Sequence, residues 1–282
     1  MSADLTRART EMGEVVRVER LGSLIELAVA LPWLAGSSAP GQFAQLRCGN
    51  TFTPLLRRPF SVAWTANDMC GFVFEEVGAG TRLLAALRPG DTLDVLGPLG
   101  AGFHLDAGRG PVVCVSGGVG CAPFPMLIDA LRERGANDIT VLSGAATAAR
   151  LYPAERFARG WDGVTVREAT DDGSRGQRGL VTALVPAELE TSPRAVYACG
   201  PNVMLAALWE LLARARVPPD VAEASLEAPM GCGFGTCLGC ALPVRGADAE
   251  PAWALCCTDG PVMPMRDVDW DGVRALPGAD VA

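Results

Sequence analysis

Lysine is absent from this chain: all 24 basic residues are arginine. Chemistry that depends on a lysine amine, as a Schiff base or a general base, is therefore excluded. Histidine is nearly absent as well, with His104 alone, which leaves no multi-histidine metal site. A serine–histidine–acid arrangement would have to use that one residue, and no GxSxG elbow is present to support it. Positive charge is in deficit, 24 basic against 32 acidic residues for a net charge of −8, so general affinity for nucleic-acid phosphates is not expected. Long apolar runs are missing too. The two longest uncharged stretches, Leu27–Leu46 and Gly110–Ile128, are punctuated by proline and glycine. Strands, tight loops and a helix start tolerate that punctuation; a membrane helix does not do so easily. The opening residues, MSADLTRARTEMGEVV, contain no apolar h-region, so no secretory signal is read. The expectation is a cytoplasmic protein with no membrane insertion and no nucleic-acid partner.

What is present divides into three regions. At roughly 100–200 residues per domain, 282 residues suggest about two domains, and the pattern adds a small third. Over 13–105, short β-type runs (Glu14–Arg20, Leu24–Ala30, Gln42–Arg47, Phe60–Trp64, Cys70–Val77, Thr92–Leu96) alternate with Gly, Pro and Asn clusters. That spacing predicts an antiparallel barrel or sandwich, interrupted by one helix over Thr81–Leu87. Over 106–220, strand-like segments (Val112–Ser116, Ile139–Ser143, Val164–Glu168, Ala195–Cys199) alternate with helix-like ones, which predicts an α/β domain with a parallel sheet. The remainder, 221–282, has too few periodic apolar stretches for a core of its own, and something must staple it.

The staple is cysteine. Of ten cysteines, five fall after residue 230, as Cys232, Cys237, Cys240 and the pair Cys256-Cys257. The order C-x4-C-x2-C with a later cysteine is the spacing of plant-type [2Fe–2S] clusters. Gly231, Gly233, Gly235 and Gly239 supply a backbone able to bring amide N–H groups close to sulfur. Zinc also takes four thiolates, commonly from two separate C-x2–4-C pairs, and is the alternative to this 3+1 pattern. Spacing leaves the fourth ligand open between Cys256 and Cys257.

The middle region opens on Val112-Val-Cys-Val-Ser-Gly117-Gly118-Val-Gly120-Cys-Ala-Pro123, a strand, a glycine loop and a helix start in the order a pyrophosphate site needs. No acid or arginine stands where a ribose contact would separate NAD from NADP. Thr170-Asp171-Asp172-Gly173-Ser174 and Cys199-Gly200-Pro201-Asn202 lie at the carboxyl ends of later strands, where open α/β sheets bind ligands. Both are candidates for the nicotinamide half. In the β region, an arginine and a hydroxyl beside an aromatic (Arg57-Arg58-Pro59-Phe60-Ser61) suit a phosphate attached to a planar ring.

Taken together, Arg58-Pro-Phe-Ser61, Gly78-Ala-Gly-Thr81, Gly97-Pro-Leu-Gly100, the Gly117–Pro123 loop and Cys199-Gly-Pro201 resemble the ferredoxin–NADP reductase superfamily. With the cysteine pattern, Thr170–Ser174 and Cys257-Thr-Asp-Gly-Pro261 added, the chain is similar to the electron-transfer subunits of B-type dihydroorotate dehydrogenases. The resemblance implies three domains: a flavin-binding antiparallel β-barrel (13–105), a nicotinamide-binding parallel-sheet α/β domain (106–220) and a small C-terminal [2Fe–2S] domain (221–282). It places FAD along Arg58, Pro59, Phe60, Ser61, Phe72, Val73, Phe74, Gly80 and Thr81. It places the nicotinamide dinucleotide at Gly118, Gly120, Asp171, Cys199 and Gly200, and a [2Fe–2S] cluster on Cys232, Cys237, Cys240 and Cys257. The implied partner is an FMN-containing dihydroorotate dehydrogenase catalytic subunit, in a heterotetramer of two of each, with NAD+ as acceptor in pyrimidine biosynthesis. Ferredoxin- or sulfur-linked reductase subunits, and a non-catalytic zinc module, are the rival readings. No residue is expected to act as a catalytic acid, base or nucleophile. Glu227, just before the cluster loop, has two readings, an approach to the flavin and, in preference, a solvated surface carboxylate; His104 reads as a loop residue.

Overall fold

The structure is a computed structural model that describes residues 5–49, 51, 53–105, 110–218, 221–246 and 250–276. The first region forms a seven-stranded antiparallel sheet from β1 (Arg9–Leu21), β2 (Leu24–Ala30), β3 (Phe43–Leu46), β4 (Arg58–Ser61), β5 (Trp64–Ala66), β6 (Met69–Glu75) and β7 (Thr92–Leu99), in the order β4-β3-β7-β1-β2-β6-β5. The sequence reads Phe60–Trp64 as one strand, but the structure breaks it. β4 and β5 occupy opposite edges of the sheet, and the two residues between them, Val62 and Ala63, are fully buried. Val62 N donates to Gln42 O (3.0 Å) on one side, and Ala63 N to Gly71 O (2.8 Å) on the other. The chain thus passes directly from the first edge of the sheet to the last, curling the sheet toward a barrel. A helix absent from the sequence reading, α1 (Pro32–Ser37), starts on a proline inside the uncharged run. The expected Thr81–Leu87 helix lies two residues earlier, as α2 (Ala79–Ala85). Thr81 Oγ1 accepts from the amides of Val77 and Gly78, which fixes that start.

The second sheet is built on β8 (Val112–Gly117), β9 (Ile139–Ala145), β10 (Val164–Thr170), β11 (Gln177–Arg178) and β12 (Ala195–Cys199). Its helices are α3 (Phe124–Glu133), α4 (Ala154–Ala158), α5 (Val185–Leu189) and α6 (Asn202–Arg214). The sheet runs on past residue 220. β13 (Ala222–Ser225) pairs parallel with β12, and β16 (Val262–Pro264) closes the edge antiparallel to β13, giving the order β11-β10-β9-β8-β12-β13-β16. The cysteine segment is therefore a long excursion between two neighbouring strands. It contains the hairpin β14 (Ala241–Arg245) and β15 (Pro251–Leu255), and the short helix α7 (Trp270–Arg274) follows it. One apolar cluster unites Val196, Ala198 and Leu205 with Cys240, Leu242, Cys256 and Met265. The segment thus shares the core of the α/β unit, which explains why its own sequence shows none.

Barrel and α/β unit meet across a polar seam. Glu26, 1% exposed, accepts from Arg17 Nη2 (2.7 Å), Arg156 Nη1 (3.0 Å) and the Tyr152 hydroxyl (2.8 Å). Beside it, Arg150 grips Glu75 with two bonds of 2.6 and 2.8 Å. Such fork-on-carboxylate pairs fix geometry as well as charge. Among the described residues, no helix is long and apolar enough to cross a membrane.

Candidate cofactor crevice and cysteine loop

A cavity of about 690 Å3 opens where the three regions meet. The barrel contributes Phe43, Pro59, Phe60, Ser61 and Val73; the α/β unit contributes Val119, Gly120, Cys199 and Asn202; the cysteine segment contributes Glu227, Met230 and Gly239. A larger cavity, about 880 Å3, lies at the N-terminal end of the same sheet, between His104, Arg194, Arg216, Glu223 and Arg266. None of the expected site residues lines it. There His104 pairs with Glu223, and its backbone amide donates to the same carboxylate (2.9 Å).

Strand alternation sorts the barrel residues. On β6, Val73 faces the crevice, while Phe72 and Phe74 point into the barrel core. The paired arginines also separate. Arg57 forms an ion pair with Asp94 (2.7 Å). Arg58 bonds only the carbonyls of Leu56 and Arg57, with no carboxylate partner among the described residues. Its stem lies beside Gly80, where a Cβ would meet the Arg58 Nε at 3.3 Å. The two motifs that the sequence holds apart thus form one positively charged corner.

In the α/β unit, the glycine loop is a single 3-10 turn, Gly118–Cys121. Gly118 has φ +55 and open space where a side chain would be. Gly120 is the reverse: a Cβ there would lie 2.3 Å from the Cys199 carbonyl oxygen, so only glycine lets the two loops touch. Gly200 is tight too, its Cβ position 3.0 Å from Gly117 N at φ +155. Cys199 is 7% exposed, and burial, with Glu227 adding to it, pushes its thiol up to about 12. It is a neutral group at physiological pH. Asp171 lies elsewhere. Its amide donates to Ala145 O (3.1 Å) at the end of β9, and Asp172 accepts from Ser174 N (2.9 Å) and Oγ (2.6 Å). β10 stands two strands from β8, roughly 10 Å at ordinary strand spacing. This loop and the Cys199 loop therefore serve opposite ends of the carboxyl edge.

Two crevice residues show their contacts only in the fold. The Asn202 side chain clamps the Glu227 backbone, donating to its carbonyl (2.9 Å) and accepting from its amide (3.2 Å). Glu227 is reached by solvent through the mouth of the crevice but enclosed elsewhere, and that enclosure raises its carboxyl pKa. It is exposed, as the surface reading expects, and it also lines the crevice.

In the cysteine loop, one contact joins two sulfurs and another joins an amide to a sulfur. Cys240 Sγ and Cys257 Sγ stand 3.2 Å apart, while the Cys237 amide approaches Cys232 Sγ at 3.5 Å. Gly235 N donates to Cys257 Sγ (3.2 Å). Cys256 turns the other way, its Sγ donating to Leu226 O at 3.4 Å from a fully buried site. Among the described residues, no three metal-binding side chains converge on one ion-sized point. A loop that brings Cys240 and Cys257 together and aims amides at the sulfurs of Cys232 and Cys257 suits a sulfide-bridged iron group. Burial pushes the Cys232 thiol up, but the amides of Phe234, Cys237 and Thr236 outweigh it and bring it down to about 6. A thiolate is favoured there before any metal arrives.

The comparisons agree with this geometry. A family profile, "Iron-sulfur cluster binding domain of dihydroorotate dehydrogenase B", matches residues 227–269. The dihydroorotate dehydrogenase B (NAD(+)) electron transfer subunit of Geobacillus thermodenitrificans is 40% identical over 86% of this chain and 91% of its own length. That of Desulforamulus reducens is 36% identical over 85% and 90%. Among solved structures, an NADH-dependent reduced ferredoxin-NADP oxidoreductase superposes with a TM-score of 0.78 at 28% identity, over 96% of this chain and 95% of that one. By these likenesses the chain belongs to the family of dihydroorotate dehydrogenase B (NAD(+)) electron transfer subunits.

Proposed function

We propose that this chain is the electron-transfer subunit of an NAD+-linked dihydroorotate dehydrogenase in pyrimidine biosynthesis, working in the cytoplasm in a heterotetramer with two FMN-bearing catalytic subunits. The observation that carries the reading is the shared crevice: barrel strand, glycine loop and cysteine segment each form one wall of it. When bound, FAD and a [2Fe–2S] cluster supply the exchange between one-electron carriage from the partner's FMN and hydride transfer to NAD+. The chain's own residues bind, orient and exclude water.

Arg58, with Gly80 and Thr81 beside it, holds the FAD pyrophosphate, and Pro59, Phe60, Ser61 and Val73 wall its ring. Phe72 and Phe74 set the strand from behind. Gly118 and Gly120 take the dinucleotide pyrophosphate, while Cys199 and Gly200 lie along the nicotinamide. Asp171, at the far end of the carboxyl edge, suits the adenosine half. Cys232, Cys237, Cys240 and Cys257 would hold the [2Fe–2S] cluster through their thiolates. No side chain needs to move a proton, which fits a crevice whose titratable lining is the neutral Cys199 thiol and Glu227, a carboxylate whose pKa enclosure raises. The flavin unit is the barrel over 13–105, and the nicotinamide unit is the parallel sheet from 106 onward, completed by β13 and β16 of the 221–282 segment, so the cluster segment is an excursion from that sheet. Phe234, Leu238 and Trp253, on the cysteine loop and its hairpin, are large apolar side chains left 41, 64 and 66% exposed. They form the face that receives the catalytic subunit.

The test is anaerobic co-expression with the dihydroorotate dehydrogenase of the same genome, following NAD+ reduction on addition of dihydroorotate. NADH formed only when this chain co-purifies supports the reading. A yellow-brown chain that binds FAD and iron but couples no dihydroorotate would assign it to another reductase.

A further inference from the structure

Gln45 is a polar residue where an apolar one would be expected. It sits on β3, a central strand, between Ala44 and Leu46, which face the barrel core. Alternation turns Gln45 to the other side, with Phe43, toward the cluster of apolar residues that includes Cys240 and Cys257. It is 0% exposed, and neither Nε2 nor Oε1 has a hydrogen-bond partner among the described residues. Leaving a buried amide unsatisfied forfeits its hydration with nothing in return, and native proteins rarely accept it without a use.

The neighbour identifies the use. Gly233 follows Cys232 directly, and a Cβ on it would lie 2.5 Å from Gln45 Nε2 and 2.7 Å from Cγ. The carboxamide therefore lies against the backbone of the cysteine loop. That loop already points the Cys237 amide at Cys232 Sγ (3.5 Å) and the Gly235 amide at Cys257 Sγ (3.2 Å). Resting on the cluster reading above, we propose that the Gln45 amide donates a hydrogen bond to a sulfur of the [2Fe–2S] group, from the strand that also places Phe43 in the flavin crevice. A donor to sulfur stabilises the reduced, more negative form and raises its potential. Gln45 is thus a tuning residue, supplied by the flavin barrel, for a cluster held by another part of the chain.

The test uses the complete chain, loaded with FAD and iron, purified anaerobically and titrated with dithionite under EPR. Gln45→Met removes the amide at nearly constant volume. The expected result is an unchanged iron content, an unchanged FAD midpoint and a cluster midpoint lowered by about 59 mV, tenfold in a one-electron equilibrium. An exchangeable-proton coupling of the reduced cluster should disappear with it. Gln45→His, which keeps an N–H of similar reach, should retain that coupling, and this holds the proposal to account if Gln45→Met fails to load. A fully loaded Gln45→Met with wild-type midpoint and coupling overturns the role of Gln45 alone, as does a shift confined to FAD. A wild-type chain without any reduced [2Fe–2S] signal overturns the cluster reading and this inference together.

Discussion

Gly120→Ala tests whether the glycine loop and the Cys199 loop act as one site. The added methyl would lie 2.3 Å from the Cys199 carbonyl oxygen, 2.5 Å from its carbon and 2.7 Å from Gly200 Cα, against 3.4 Å for ordinary contact. All three obstacles are backbone, so no rotamer relieves them and the loops must part by about 1 Å. Overpacking of this kind costs about 1–3 kcal/mol of stability, and a displacement near 1 Å between reacting groups can lower a rate by about 100-fold. The assay is NADH-driven reduction of ferricyanide by the loaded chain, which needs no partner subunit. Its kcat/KM should fall about 100-fold, or about 2.7 kcal/mol of barrier, while FAD and iron stay bound. Gly118→Ala is the complement. No protein atom lies within 4 Å of that methyl, and the left-handed backbone itself costs only about 1–2 kcal/mol. A raised KM for NADH in that variant would come from the ligand colliding with the methyl. If Gly120→Ala keeps kcat/KM within about threefold of wild type, the two loops do not cooperate and the nicotinamide assignment falls.

Four further outcomes follow from the geometry. Cys257→Ser should abolish the visible absorption of the cluster while Cys256→Ser keeps it; the opposite result would make Cys256 the fourth ligand. In chain stripped of iron, iodoacetamide near pH 7.5 should label Cys232, lowered to about 6, well before Cys257, pushed up to about 12 by burial and by Cys240. Mass spectrometry of the early product decides the order. Glu26→Gln removes the charge held by Arg17, Arg156 and Tyr152; breaking so buried a network should lower stability by about 2–4 kcal/mol, and a loss under about 0.5 kcal/mol in urea melts would make the seam incidental. For Glu227, burial raises the folded pKa, so the fold favours the protonated form below both pKa values and loses that advantage as pH rises through the folded one. Glu227→Gln should therefore match wild type near pH 4 and exceed it near pH 8, and a variant less stable than wild type at pH 8 would reverse the sign.

Legibility from sequence followed the scale of the cause. Leu24–Ala30 and Ala195–Cys199 are strands with the same ends in sequence and structure, because turn residues bound each apolar run. The break between β4 and β5 was hidden, since Phe60–Trp64 carries no glycine, proline or asparagine and only the fold shows Val62 and Ala63 passing between two edges. Cys256 and Cys257 are indistinguishable by spacing; as neighbours they point to opposite sides, and only packing says which meets Cys240. Asn202, Gln45 and Glu26 were invisible for a related reason. A polar residue gains meaning from what is folded against it, and their partners lie far along the chain. Gln45 left one trace, an amide within an apolar strand.

The cysteine segment leaves the sheet at Ser225 and returns at Val262, two residues paired directly across β13 and β16. Its ends are therefore already brought together by main-chain hydrogen bonds, and the entropy of closing that loop is met by the sheet before any iron is present. This sets an order of biogenesis. Barrel and α/β sheet can fold on the ribosome's timescale, and the cluster can be delivered later to a waiting loop with one thiolate formed and one exposed cysteine, Cys237, facing the donor. Maturation becomes a late, separable event, and cells short of iron would be expected to accumulate a folded, flavin-bearing form that awaits its metal.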